Sequence, residues 1–154
     1  MSIEHKINVN THYTRSVNLK RDAGSESIVN SYIPTSRALK TLELFSHAFK
    51  EDESPRAWSL IGPYGSGKSS FASFLSNLLE KDNNSINAAA FKVLSGASVE
   101  ISKEYKNITE NGSGCCVVLL TGSPDSLGKR LIHALHQKSQ QIWNIRRGKK
   151  PKIL

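Results

Sequence analysis

The sequence predicts an α/β fold, a parallel sheet flanked by helices, and an incomplete one. Two strand-sized runs, at 56–61 and 115–120, stand apart from one another with helical patterns between them. The first run ends in a glycine-rich loop, Gly62-Pro63-Tyr64-Gly65-Ser66-Gly67, and an amphipathic segment follows it. The order therefore reads helix, strand, helix, an unclear stretch, strand, helix. Strands that alternate with helices pack as parallel layers. Only two strands stand out, and two parallel strands make a poor core. The sheet is therefore expected to expose edges that a second copy or a partner chain would complete.

Each element has a local reason. Residues 1–31 are polar, without sustained periodicity, and broken at Gly24-Ser25, so an extended or disordered segment is expected. Tyr32-Ile33-Pro34 leads into the first helix. Pro34 biases Ile33 away from helix, and Thr35 or Ser36 supplies an N-cap. Over 36–50, Ala38, Leu39, Leu42, Leu44, Phe45, Ala48 and Phe49 recur at helical spacing. The acidic turn Glu51-Asp52-Glu53-Ser54-Pro55 stops this helix. Residues 56–61 alternate and then turn apolar, as a strand does. Phe71, Phe74, Leu75, Leu78 and Leu79 share one face of the next helix, which ends near Lys81-Asp82-Asn83-Asn84.

The stretch 85–114 is ambiguous: residues 88–94 suit helix or strand, and 99–110 suit a short polar helix. The run 115–120 reads as a buried strand, and Gly122-Ser123-Pro124-Asp125 as a turn capping a helix over 126–145. Leu127, Leu131, Ile132, Leu135, Ile142 and Trp143 would form its inner face. The organisation is an N-terminal segment 1–31, one partial domain over 32–145 and a basic tail at 146–154.

Composition narrows the function. The 154 residues carry 21 Lys+Arg and 13 Asp+Glu, a net charge of +8, with 38% hydrophobic residues. That length suits one domain. The charge is uneven: residues 115–154 hold 8 basic residues and 1 acidic one. The end of that stretch, Arg146-Arg147-Gly148-Lys149-Lys150-Pro151-Lys152, reads either as a solvated terminus or as a nucleic-acid contact. No apolar run approaches the ~20 residues that cross a bilayer, so no membrane partner is expected. The start, MSIEHKINVN, lacks the apolar stretch of a signal peptide. The cysteines Cys115 and Cys116 are adjacent, and neighbours on a strand pair poorly, so buried reduced thiols and a cytoplasmic location are expected. His133 and His136 lie three apart, a spacing that can hold a metal, but no acid or thiol is close in sequence, and two histidines alone are usually surface residues.

The chemistry lies in Gly62-Pro63-Tyr64-Gly65-Ser66-Gly67-Lys68-Ser69-Ser70, which fits G-x-x-x-x-G-K-[ST], the phosphate-binding P-loop. Its glycines let the backbone curl and point successive N–H groups inward, and the nest so formed holds phosphate oxygens. The following helix adds its free amides and the positive end of its dipole. Lys68 supplies a full charge to the β- and γ-phosphates, and the Ser69 hydroxyl a ligand for Mg²⁺.

On this motif the chain resembles the P-loop NTPase superfamily. The likeness covers eight residues of motif and about twenty-five of strand, loop and helix. Tyr32-Ile33-Pro34, a helix and then the P-loop strand are similar to the corresponding region of AAA-type ATPases. That resemblance implies ATP with Mg²⁺ as the nucleotide, Lys68 as the catalytic cation, and Tyr32, Ile33 and Pro34 as contacts to the base. More distantly, SLIGPYGSGKSSF and VVLLTGSPDSLGKRLIHAL resemble large bacterial ATPases linked to phage defence. GTPases usually carry Asn-Lys-x-Asp, which does not occur here.

The pattern of the family is not complete. Hydrolysis in it needs a second acidic motif, four apolar residues and an Asp at a strand end, and no such sequence occurs. Asp125 is the nearest acid beyond the 115–120 run, and it reads as a helix cap. Arg130, Arg146 and Arg147 read as surface charges, not as an arginine finger. The chain then resembles the first half of a larger ATPase. The alternative is a binding module that holds a nucleotide or another polyanion without hydrolysis, with the basic tail on nucleic acid.

Overall fold

The computed structural model describes residues 17–22, 24–50, 54–80, 85–111 and 115–145. Seven α-helices account for most of them: α1 Leu19–Asp22, α2 Glu26–Asn30, α3 Ser36–Lys50, α4 Lys68–Leu79, α5 Ser85–Ala97, α6 Val99–Lys106 and α7 Leu127–Ile145. A π-helical turn, Asn107–Asn111, extends α6. The Thr35 side chain caps α3, accepting the Ala38 N–H at 3.3 Å. Ser98 does the same for α6, accepting from Ile101 N–H.

The core forms where the apolar stripes of α2 to α6 meet. Leu42 of α3, Phe74 and Leu78 of α4, Ala90 and Leu94 of α5 and Tyr105 of α6 are almost wholly buried. Tyr32 stacks on Phe74, ring centroids 4.4 Å apart. Each such large side chain contributes about 1.5–3 kcal/mol by leaving water. The buried Tyr105 hydroxyl donates to the Leu42 carbonyl at 2.9 Å, joining α6 to α3. The stretch left open between helix and strand is helical. Ser85–Ala97 holds four alanines, the best helix formers, and it buries Ala89, Ala90 and Leu94.

The expected parallel sheet is absent: the described residues contain no strand. Residues 55–63 form neither helix nor strand, and no strand among the described residues pairs with them. Trp58, Leu60 and Ile61 are exposed, Ile61 at 93%. Phe45 holds Trp58 by a ring contact of 4.6 Å. In the second run only Cys115 pairs. It makes one isolated parallel bridge to Glu80, and its N–H donates to the Leu79 carbonyl at the end of α4. Residues 116–123 then run on as unpaired extended chain. The physical reason is that β-propensity is a local signal, whereas a ladder needs a second strand in register.

Three further expectations change. The segment read as extended or disordered is helical at Leu19–Asp22 and Glu26–Asn30, where Val29 enters the core; residues 1–16 lie outside the described residues. The thiols are not buried as a pair: Cys115 is half-buried and Cys116 exposed. Burial, and then the neighbouring Cys116, raises the Cys115 pKa. Finally, the apolar stripe of α7 faces outward, with Leu127 69% and Ile132 70% exposed. The Trp143 side chain and the basic tail 146–154 lie outside the described residues. No helix among those described is long and apolar enough to cross a membrane.

Candidate functional site

Chain direction makes the loop. The extended residues 55–61 arrive exposed, and the backbone turns back at Tyr64 and Gly65, where the Ser66 N–H donates to the Pro63 carbonyl at 3.3 Å. Gly65 and Gly67 take φ of 78° and 81°, the left-handed region that only glycine enters without strain. At Gly62 the constraint is space rather than backbone conformation. A Cβ there would lie 3.0 Å from Ser66 Oγ, inside the curl of the loop. Helix α4 begins at once, its first bond running from Phe71 N–H to the Gly67 carbonyl at 2.8 Å. Gly67 as N-cap offers no side-chain acceptor to the helix's opening amides. They remain available to an anion, and the helix dipole favours one.

Lys68 closes the loop. Its ammonium donates to the Gly62 carbonyl at 2.9 Å, the Pro63 carbonyl at 2.6 Å and Ser66 Oγ at 3.3 Å. The charge thus sits over the concave side of the loop, held by acceptors that a phosphate oxygen can replace. Ser69 and Ser70 follow in the first turn of α4, both half-buried. Tyr64 stands at the exposed tip, 91% accessible.

The loop opens onto a cavity of about 260 Å³. Gly62, Pro63, Ser66, Gly67 and Lys68 form one side of it. Tyr32, Ile33, Leu60, Ile61 and Phe71 form an apolar end, and Arg37 and Thr41 come from α3. Tyr32 and Ile33 thus share a cavity with the glycine loop, across a gap of thirty residues in sequence. Tyr32 also packs in the core, through its stacking on Phe74. Pro34 is half-buried and does not line the cavity. Small-molecule sites usually enclose about 300–1,000 Å³. This one would cover part of a nucleotide and leave the rest over the open loop.

The other sequence candidates gather elsewhere. A larger groove, about 730 Å³, runs between the end of α4, residues 117–120 and α7. Asp125, Arg130 and His133 line it. Asp125 holds Ser123 through its carboxylate at 3.1 Å and does not line the cavity at the glycine loop. The Arg130 guanidinium donates to the Thr121 carbonyl, tying α7 to the chain before it. Lys138 of α7 pairs with Glu80 at the end of α4. His136 bonds Gln140 within its own helix at 2.9 Å. No group of three His, Cys, Asp or Glu that could hold a metal occurs among the described residues. Arg146 and Arg147 lie outside them.

Arg37 and Thr41 are cavity residues that sequence reading passes over. The signal for them is present: four residues apart on α3, just past Tyr32 and Ile33, they share one helix face. Comparisons of the chain with protein-family models, with curated proteins and with solved structures find no match.

Proposed function

We propose that this chain binds a nucleoside triphosphate, ATP with Mg²⁺, as the nucleotide-binding part of a P-loop ATPase. The observation that carries the reading is the closure of the Gly62–Gly67 turn by Lys68. Three hydrogen bonds from one ammonium, two glycines in the left-handed region and an uncapped helix start converge on one concave face. Such a face suits a polyphosphate. The reading rests on the loop and its helix, which are local, and not on a parallel sheet.

Each part has a role. The loop amides and the start of α4 receive the phosphate oxygens. Lys68 exchanges its carbonyl acceptors for phosphate and keeps its charge against the chain's most negative ligand. Ser69, next to it, is the residue whose hydroxyl would hold Mg²⁺, the ion that neutralises charge between two phosphates. Tyr32 and Ile33 offer an apolar wall to a base. The preference for ATP rests on the likeness of Tyr32-Ile33-Pro34 to AAA-type ATPases. Among the described residues no carboxylate lines the cavity, and the activity proposed here is binding.

Isothermal titration with ATP, GTP and ADP in Mg²⁺ tests the reading. Lys68→Ala is expected to weaken Mg·ATP at least about tenfold, the usual scale for a charged hydrogen bond. Its circular dichroism should match the parent's, because Lys68 points into the loop and not the core. Unchanged affinity in a folded K68A protein overturns the proposal.

A further inference from the structure

We infer that Arg37 is a second polyphosphate-binding residue, a guanidinium that reaches the nucleotide's phosphates across the cavity from Lys68. The inference rests on the nucleotide reading and adds to it a contact outside the glycine loop.

Among the described residues, the cavity is lined by two cationic side chains, Arg37 and Lys68, and by no acidic one. A concave surface with two positive charges and nothing to neutralise them is set for an anion. The two cations differ in state. Lys68 is satisfied by the loop, through Gly62, Pro63 and Ser66. Arg37 is exposed, and no carboxylate pairs with its guanidinium among the described residues. Its backbone is nonetheless fixed: the Arg37 carbonyl accepts the Thr41 hydroxyl at 2.8 Å, and Thr35 caps the same turn. The residue therefore stands on a rigid helix start with its long side chain free to close on a ligand.

The cavity also separates two ends. Tyr32, Ile33 and Phe71 offer apolar surface, while Arg37 and Lys68 supply charge. A guanidinium presents paired N–H donors that match two phosphate oxygens, which an ammonium does not. Arg37 is thus fitted to grip the phosphate chain rather than the base. Its placement also distinguishes it from Arg130, whose guanidinium is engaged with Thr121.

The test titrates the full chain with Mg·ATP and, separately, with inorganic triphosphate in Mg²⁺. Arg37→Ala is expected to weaken both by a similar factor, about tenfold to a hundredfold, as loss of a charge-assisted bond does. Arg37→Lys should recover only part, because it restores charge without the paired donors. Thermal denaturation should be unchanged, since the side chain is exposed. If R37A leaves Mg·ATP affinity as it was while K68A removes it, the Arg37 inference fails and the P-loop reading stands. If R37A weakens ATP but not triphosphate, the guanidinium serves the nucleoside and the inference fails. If neither substitution matters, or the parent binds neither compound, both readings fall.

Discussion

At the scale of single residues, polar groups are placed to opposite effect. Lys68 keeps its charge at the surface and satisfies all three donors on the loop. Ser73, one turn further along α4, is buried, and its hydroxyl finds no partner among the described residues. Its carbonyl is well used, accepting from Ser76 Oγ at 2.7 Å and Asn77 Nδ2 at 2.8 Å. A buried hydroxyl without a bond costs about 1–3 kcal/mol. Ser73→Ala is therefore expected to leave stability equal or raise it, by up to about 1 kcal/mol after the small loss of packing. A urea titration that shows Ser73→Ala destabilised by more than that would mean the hydroxyl has a partner.

At the scale of elements, α3 and α6 are joined by a polar clasp above their apolar contact. Glu104 of α6 accepts from Lys50 at 2.7 Å and from the Ser46 hydroxyl, both on α3. The Lys50 hydrogen bond, and then that of Ser46, lower the Glu104 pKa below its ordinary 4.5, against the opposing effect of burial. A carboxylate lowered in the folded state stabilises above its unfolded pKa, about 4.3. That contribution is lost as pH falls through the folded value. Lys50 is half-exposed, so solvent screens the pair and holds the effect to about 1 kcal/mol or less. Glu104→Gln should accordingly destabilise at pH 7, and its difference from the parent should shrink as pH falls below the ordinary carboxylate range in thermal melts. A gap that is constant across pH would assign the clasp to packing alone. Its neighbour Tyr105 behaves oppositely: burial raises its pKa well above the ordinary range. Its share of stability is complete below about pH 10 and is lost above it.

At the scale of the whole molecule, the apolar surface divides into two unequal parts. The stripes of α2 to α6 close on each other, whereas α7 is tied by its side chains to Glu80 and to Thr121. Leu78→Ala, in the closed part, should cost about 2–5 kcal/mol. Ile132→Ala, on the exposed stripe of α7, should change stability by no more than about 0.5 kcal/mol. Chemical denaturation of the two variants side by side measures the difference. A loss above 1 kcal/mol at Ile132 would show that α7 buries this face.

The chain's local features were legible in its order of residues. The Thr35 cap, the stripe of α3, the Gly62–Gly67 turn and the helix after it depend on neighbours within a few positions. Steric freedom at Gly65 and Gly67, hydrogen bonding at Thr35 and spacing on α4 do not need the rest of the molecule. The two apolar runs were misleading for the converse reason. A strand is completed by hydrogen bonds to a distant segment, and nothing within 56–61 or 115–120 states whether that segment exists. The ambiguous 85–97 stretch resolved as helix because Ala89, Ala90 and Leu94 meet α4 and α2, a contact that composition does not reveal. The loop that would grip phosphate was therefore determined by sequence alone. That Arg37 shares its cavity, that Asp125 does not, and that α7 turns its leucines outward were decided only by the tertiary structure, because each is a distance between residues far apart along the chain.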